Sequence, residues 1–196
     1  MSDAAPVRCG WCGTDPLYVA YHDEEWGRPS RDDTHLFEML CLEGQQAGLS
    51  WITVLRKRAR YRERFYGFEI DRVAVMRPTS IDTRMTDARL IRHRGKLEAI
   101  VDNARAAKRV IAKNGSLSDY LWRFVDPSGE GRPLVNRFET LKQVPSKTPE
   151  AEAMSKALKK QGFRFVGPTT CYAFMQACGL VDDHVESCFM RTGRAR

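Results

Sequence analysis

The chain has 196 residues, 42% hydrophobic and 29% charged, the balance of one globular domain or of one domain with two lobes. No apolar run reaches the roughly 18 residues of a membrane-spanning helix, and Met1 to Pro6 lacks the basic start and apolar core of a secretory signal, so no membrane partner and a cytoplasmic location are expected. A net charge of +7 suits a polyanion, nucleic acid before membrane, because lysine and arginine gain by displacing counterions from phosphates.

Six cysteines in a chain of this length do not make a disulfide framework. Cys41, Cys171 and Cys178 fall on apolar helical faces and read as small buried hydrophobes. Cys9-Gly10-Trp11-Cys12 is a C-x-x-C pair, but no βαβ pattern surrounds it to suggest redox chemistry.

In chain order, the apolar spacing is helical almost throughout. Leu36, Phe37, Leu40 and Cys41 form a first stripe, expected to close at Gly44. Ser50 caps a second helix, with Trp51, Val54, Leu55, Arg58 and Tyr61 along one side. Leu97, Ile100, Val101, Ala104 and Ile111 mark a long helix stopped at Asn114-Gly115. Ser116 and Asp119 form a capping box ahead of Leu117, Tyr120, Leu121 and Phe124.

The segment 126–145, rich in Gly and Pro at its start, reads as an irregular surface loop. Thr148-Pro149-Glu150 opens a helix with a cap, a proline at its first position and an acid in its first turn. Its stripe is Met154, Ala157 and Leu158, and Gly162 ends it. Phe163 to Val166 alternates like a short strand. A last helix runs from Pro168 to Cys178 and stops at Gly179. The expectation is an all-α fold, one two-lobed domain over residues 1–190 with a flexible basic tail at 191–196.

The turn Gly162-Phe163-Arg164-Phe165-Val166-Gly167 between the last two helices has the form of a helix-hairpin-helix. A helix N-terminus leaves N–H groups free and favours an anion. Gly167 lets a phosphate approach the backbone, and Lys156, Lys159, Lys160 and Arg164 supply charge nearby. Arg164, Val166, Gly167 and Thr169 are the candidate contacts to a nucleic-acid backbone, gripped without reading sequence. An ordinary αα-hairpin with a solvated lysine face satisfies the same pattern.

Cys9 and His22, thirteen apart, and His184 and Cys188, four apart, form two pairs of metal-capable residues. The i, i+4 spacing would place the second pair on one face of a helical turn. Two Cys and two His suit zinc in a closed, structural tetrahedron with no open position for catalysis. Cys12 is a competitor that would displace His22.

Several stretches together resemble the 3-methyladenine DNA glycosylase I family. They are Arg8-Cys9-Gly10-Trp11, Asp15 to Tyr18, Tyr21 to Gly27, Phe37 to Trp51, Ile91 to Lys96, Leu158 to Phe163, Phe165 to Gly167, Cys171-Tyr172, Met175 to Val181 and Asp183-His184. The resemblance runs from about residue 8 to 188. It implies a helix-hairpin-helix glycosylase fold, removal of 3-methyladenine from double-stranded DNA by hydrolysis of the N-glycosidic bond, and a monomer.

It further implies a structural zinc ion on Cys9, His22, His184 and Cys188, with Cys12 a bystander. Glu43 becomes the pocket carboxylate, Trp51 the stacking ring and Tyr21 a second base contact. Trp11, Tyr18 and Trp26 complete an aromatic wall; core packing is the alternative for each aromatic, and Trp11 and Trp26 fit it nearly as well. Gly48 and Leu49 enter the gap left by the extruded base. Asp182, in the Val-Asp context of related glycosylases, either stabilises the developing sugar cation or caps a turn before the metal ligands. Thr170 and Cys171 stand where bifunctional relatives carry a lysine, so strand cleavage is not expected. Two other readings are a non-enzymatic zinc-stapled DNA-binding module and a hydrolase acting through the metal; the latter needs an open coordination position.

Overall fold

The structure, a computed structural model, describes residues 5–126 and 128–191. All but the first residue of the expected basic tail lies outside that range. The chain is mostly helical: α1 (Pro16–Glu24), α2 (Asp33–Gln46), α3 (Trp51–Leu55), α4 (Arg58–Arg64), α5 (Ile70–Ala74), α6 (Thr79–Met85), α7 (Arg94–Asn114), α8 (Leu117–Trp122), then β1 (Leu134–Val135), α9 (Pro149–Gln161), α10 (Pro168–Ala177) and β2 (Val181–Asp182). Among the described residues no helix is long and apolar enough to cross a membrane.

Caps place the helices. Asp15 accepts the Leu17 N–H at 3.0 Å and Pro16 takes the first position of α1. Asp32 accepts the His35 N–H at 2.6 Å to start α2. Ser116 and Thr148 cap α8 and α9 through Asp119 N–H and Ala151 N–H. Gly115 and Gly162, both at positive φ, stop α7 and α9. Ser50 precedes α3 without a side-chain bond to its backbone; its hydroxyl meets that of Thr53 at 2.8 Å.

The core is built around α2. Every residue from 36 to 45 is buried, because α7, α8 and α10 pack around the helix. A helix covered on all sides carries apolar residues all round. Its buried acid Glu38 is held by Arg58, Nε to Oε1 at 2.9 Å, and by Arg62 at 2.6 Å. Arg58 also reaches Glu25 at 2.7 Å, tying α4 to the end of α1.

Four local expectations are corrected. α2 runs through Gly44 to Gln46, because that glycine serves close packing rather than termination. The stripe from Trp51 to Tyr61 is two helices with a break at Arg56-Lys57. Phe163 to Val166 is a turn, with Phe165 at φ 55. The irregular segment 126–145 contributes β1, paired in parallel with β2 through Leu134↔Val181 and Val135↔Asp182, and a 3₁₀ turn at Leu141–Gln143.

Candidate active site and metal centre

A cavity of about 380 Å³ lies between α1, the end of α2, the start of α3 and α10. One wall is Trp11, Tyr18, Tyr21, Trp26 and Trp51 with Glu43 and Gln46; the other is Leu141, Val144, Ala173, Gln176 and Asp183. The geometry therefore gathers all five sequence-selected aromatics with Glu43. Trp11 meets Tyr18 and Trp26 edge-on at 5.0 Å, and Tyr21 and Trp51 lie tilted at 5.6 Å.

The cavity wall carries unsatisfied polar atoms. Five buried side-chain N or O atoms lack a partner among the described residues, and three of them belong to this wall: Trp11 Nε1, Tyr21 OH and Trp51 Nε1. Native interiors rarely leave such groups unpaired, so three of them on residues that line one cavity favour a polar ligand there. Glu43 sits in the last turn of α2, 5% exposed. Burial pushes its carboxyl up to about 8. The Tyr21 phenol is pushed up by burial and then by the Glu43 charge.

Asp182 does not line this cavity. It is buried in β2, and its Oδ1 accepts the His184 N–H at 3.2 Å. Besides Glu43, the acid that lines it is the next residue, Asp183, to which the sequence assigns no role. Its carboxylate accepts from Tyr172 OH, from Gln176 Nε2 at 2.8 Å and from Asn136 Nδ2 at 2.7 Å. Gln46 was also passed over; it lines the cavity while its Nε2 donates to the Leu49 carbonyl at 2.8 Å.

Beside the cavity, α2 leaves through a tight turn. Ala47 has φ −46 and ψ 113, Gly48 has φ 80, and the Leu49 N–H returns to the Gln46 carbonyl at 2.6 Å. This is a type II turn, whose third position requires positive φ and hence glycine. It holds Leu49 exposed at the rim.

The hairpin packs against α2 at Gly44. Gly162 turns the chain at φ 92, and the Val166 carbonyl accepts the Ser155 hydroxyl at 2.6 Å. Arg164 and Thr169 are exposed, as are Lys156, Lys159 and Lys160, while Val166 is buried. The Arg164 guanidinium reaches Asp102 at 2.7 Å. A Cβ on Gly44 would lie 3.1 Å from Phe165 Cβ and 3.3 Å from its carbonyl oxygen, so glycine lets the hairpin seat on the helix one residue from Glu43.

Cys9, His22, His184 and Cys188 meet with all four ligand atoms within 4.8 Å of one another, every residue buried. Cys9 Sγ and Cys188 Sγ each lie 3.5 Å from His184 Nδ1, and Cys188 Sγ lies 3.4 Å from His22 Nε2. Donors about 2.0–2.3 Å from a tetrahedral zinc would be roughly 3.3–3.8 Å apart, so the residues fit the ion.

The two thiols compete for a proton: Cys9 pulls Cys188 down, and Cys188 pushes Cys9 up. A divalent cation relieves that conflict. His22 Nδ1 bonds Asp23 at 2.8 Å, and Arg8 clamps Asp23 in turn, the outer support typical of a ligating histidine. His184 and Cys188 are brought together by a turn, Cys188 N–H to Val185 carbonyl at 2.8 Å, and not by the helix expected from their spacing. Cys12 stays outside the cluster, its thiol directed to the Cys9 carbonyl at 3.2 Å. The centre backs the cavity, since Trp26 packs edge-on against His184 at 4.7 Å.

Residues 11–191 match the model of the methyladenine glycosylase family. The chain is 53% identical over 181 residues to DNA-3-methyladenine glycosylase 1 of Escherichia coli, covering 92% of this chain and 95% of that protein. It is 52% identical over 186 residues to DNA-3-methyladenine glycosylase of Haemophilus influenzae, covering 95% and 98%. A solved structure described as the structural basis of 3-methyladenine recognition by the Staphylococcus aureus glycosylase I superposes with a TM-score of 0.91 at 39% identity, over 98% of this chain and all of that one. The chain belongs to the methyladenine glycosylase family.

Proposed function

We propose that the protein is a DNA repair glycosylase that hydrolyses the N-glycosidic bond of 3-methyladenine in double-stranded DNA and leaves an abasic site. The observation that carries this reading is Glu43, a buried carboxyl with no hydrogen-bond partner among the described residues, set in an aromatic cavity beside three further unpaired polar atoms.

A base inside a duplex is out of reach, so it must be flipped into such a cavity. N3-methylation makes the base cationic in the nucleotide and already a good leaving group. Aromatic faces attract that cation by about 0.5–2 kcal/mol. The cation also draws the buried Glu43 towards its ionised form, a pairing that undamaged adenine does not offer. The carboxyl accepts from the exocyclic amine of adenine, where guanine presents a carbonyl and is refused.

The remaining parts follow as elements of the same reading. Leu49, on its type II turn, enters the gap left by the flipped base. The helix-hairpin-helix formed by α9 and α10 holds the DNA backbone through Gly167, Thr169 and Arg164, with Val166 buried beneath. Cys9, His22, His184 and Cys188 hold a structural zinc ion, which joins the two ends of the fold and supplies no open position for chemistry. Thr170 and Cys171 open α10 in place of an amine nucleophile, so the strand is not cut. The protein acts as a cytoplasmic monomer.

The test is incubation with methylated duplex DNA and chromatography of the released bases. Release of 3-methyladenine without strand nicking, lost in Glu43→Gln, is expected. Intact DNA binding with no base released would leave a zinc-stapled binding module instead.

A further inference from the structure

Lys96 is a buried cation, 7% exposed, that pairs with no acid among the described residues. Its ammonium donates to two backbone carbonyls, Gln45 O at 2.8 Å and Ala47 O at 2.6 Å. Both lie where α2 ends. A helix end needs partners for its last carbonyls, and its negative dipole end favours a cation. Gly48 follows the C-cap at positive φ, as is usual past a helix end, but the Gln45 and Ala47 carbonyls are taken by Lys96 from α7.

The second bond has a specific effect. The Ala47 carbonyl belongs to the central peptide of the turn Gln46-Ala47-Gly48-Leu49. Type I and type II turns differ by the flip of that one peptide. With the Ala47 oxygen held by Lys96, ψ of Ala47 stays at 113 and the type II form is selected. The turn is also held from the cavity side by Gln46 Nε2 on the Leu49 carbonyl. Lys96 is fixed in turn: Gln45 Nε2 donates to its carbonyl at 2.9 Å, Tyr61 OH donates to Gln45 Oε1 at 3.0 Å, and the Ile91 N–H donates to Tyr61 OH at 3.2 Å.

We propose that Lys96 is a positioning residue for base extrusion, locking the peptide that aims Leu49 into the duplex. This rests on the reading of Leu49 as the residue that fills the gap. Among the described residues the Lys96 side chain hydrogen-bonds neither a cavity-lining side chain nor an exposed hairpin residue, so its loss should separate capture of a base from DNA and binding of the free base.

The experiment compares Lys96→Met, Leu49→Ala and the parent protein. Calorimetry with free 3-methyladenine gives the affinity and the number of competent sites. Single-turnover excision from methylated duplex is then normalised to those sites, which removes any loss of folded protein. Lys96→Met is expected to bind the free base within about two-fold of the parent and to excise at least ten-fold more slowly, like Leu49→Ala. A normal excision rate in Lys96→Met beside a slow Leu49→Ala overturns the proposal. So does loss of free-base binding in parallel with rate, because Lys96 would then shape the cavity and not the turn. A normal rate in Leu49→Ala removes the reading on which the proposal stands. Should Lys96→Met fail to fold, as circular dichroism would show, Lys96→Arg is measured in the same way. It keeps the charge on a forked head ill-matched to the two carbonyls, and an unchanged rate there overturns the proposal.

Discussion

Asn103 brackets the backbone of Arg164. Its Oδ1 accepts the Arg164 N–H at 2.7 Å and its Nδ2 donates to the Arg164 carbonyl at 3.2 Å. One buried amide on α7 thus pins the hairpin turn from both sides, as a neighbouring strand would. Asn103→Leu leaves two backbone groups unpaired and should cost about 1–3 kcal/mol of stability. Duplex affinity should fall with it while free-base affinity holds. Denaturant unfolding and the two binding titrations check this; equal loss of both affinities would place the hairpin's influence inside the cavity.

The seat of that hairpin gives a second prediction. Gly44→Ala should gain about 1 kcal/mol in helix propensity and lose about 1–3 kcal/mol to overpacking. The clash is with Phe165 Cβ and backbone oxygen, atoms that no rotamer change can move aside. The loss should win, seen as a lower unfolding midpoint. A more stable variant would show that the turn can lift off α2 freely.

Glu43 links stability to pH. Burial raises its carboxyl from 4.5 to about 8, so between those values the native state holds a proton that the unfolded chain releases. Native stability from this group is present below about pH 4.5 and is lost as pH rises through 8, at about 1.4 kcal/mol per unit. Glu43→Gln carries no such dependence. The variant should match the parent near pH 5 and exceed it at pH 8.5, while losing base excision at both. Parallel stability curves for the two proteins would mean that Glu43 is not held protonated.

Elemental analysis should find one zinc ion per chain, absent from a variant lacking both Cys9 and Cys188. Replacing Cys188 with Ser should cost about 4 kcal/mol or more, the scale of losing a bound metal. Because the set of four leaves no open position, activity should decline in step with helical content as metal is removed. Full activity in folded, metal-free protein would assign the cluster a dispensable role.

Asp182→Asn separates the two roles given to that residue. Its carboxylate accepts from the backbone of His184 and stands off the cavity. The variant should keep excision within a few-fold of the parent and lose a fraction of its stability, about 1 kcal/mol. A drop of a hundred-fold or more with unchanged folding would restore a catalytic role.

Much of the helical order was legible because it is written locally. Thr148, Pro149 and Gly162 delimit α9, and Gly115 ends α7 where the apolar spacing stops. The candidate site was drawn from resemblance, and its five aromatics and Glu43 line one cavity. What escaped is what depends on distant parts of the chain. Gly44 is glycine for the sake of Phe165, over a hundred residues away, and so was misread as a stop. Lys96 and Asn103 look like surface residues of α7 until their backbone partners are in view. The spacing of His184 and Cys188 fits a helix, but β2 ends just before them and a turn does the work. α1 carries no clear apolar stripe, and only its Asp15-Pro16 start announces it.

The cavity wall also gives the protein a built-in optical reporter. The chain has four tryptophans, and Trp11, Trp26 and Trp51 line the cavity. The fourth, Trp122, is buried in the core with the Arg31 guanidinium 3.9 Å from its ring. Three of the four indoles therefore stand where a base would dock, and one elsewhere serves as an internal reference. Occupancy of the pocket can be followed by light from the unlabelled protein, in real time and apart from unfolding.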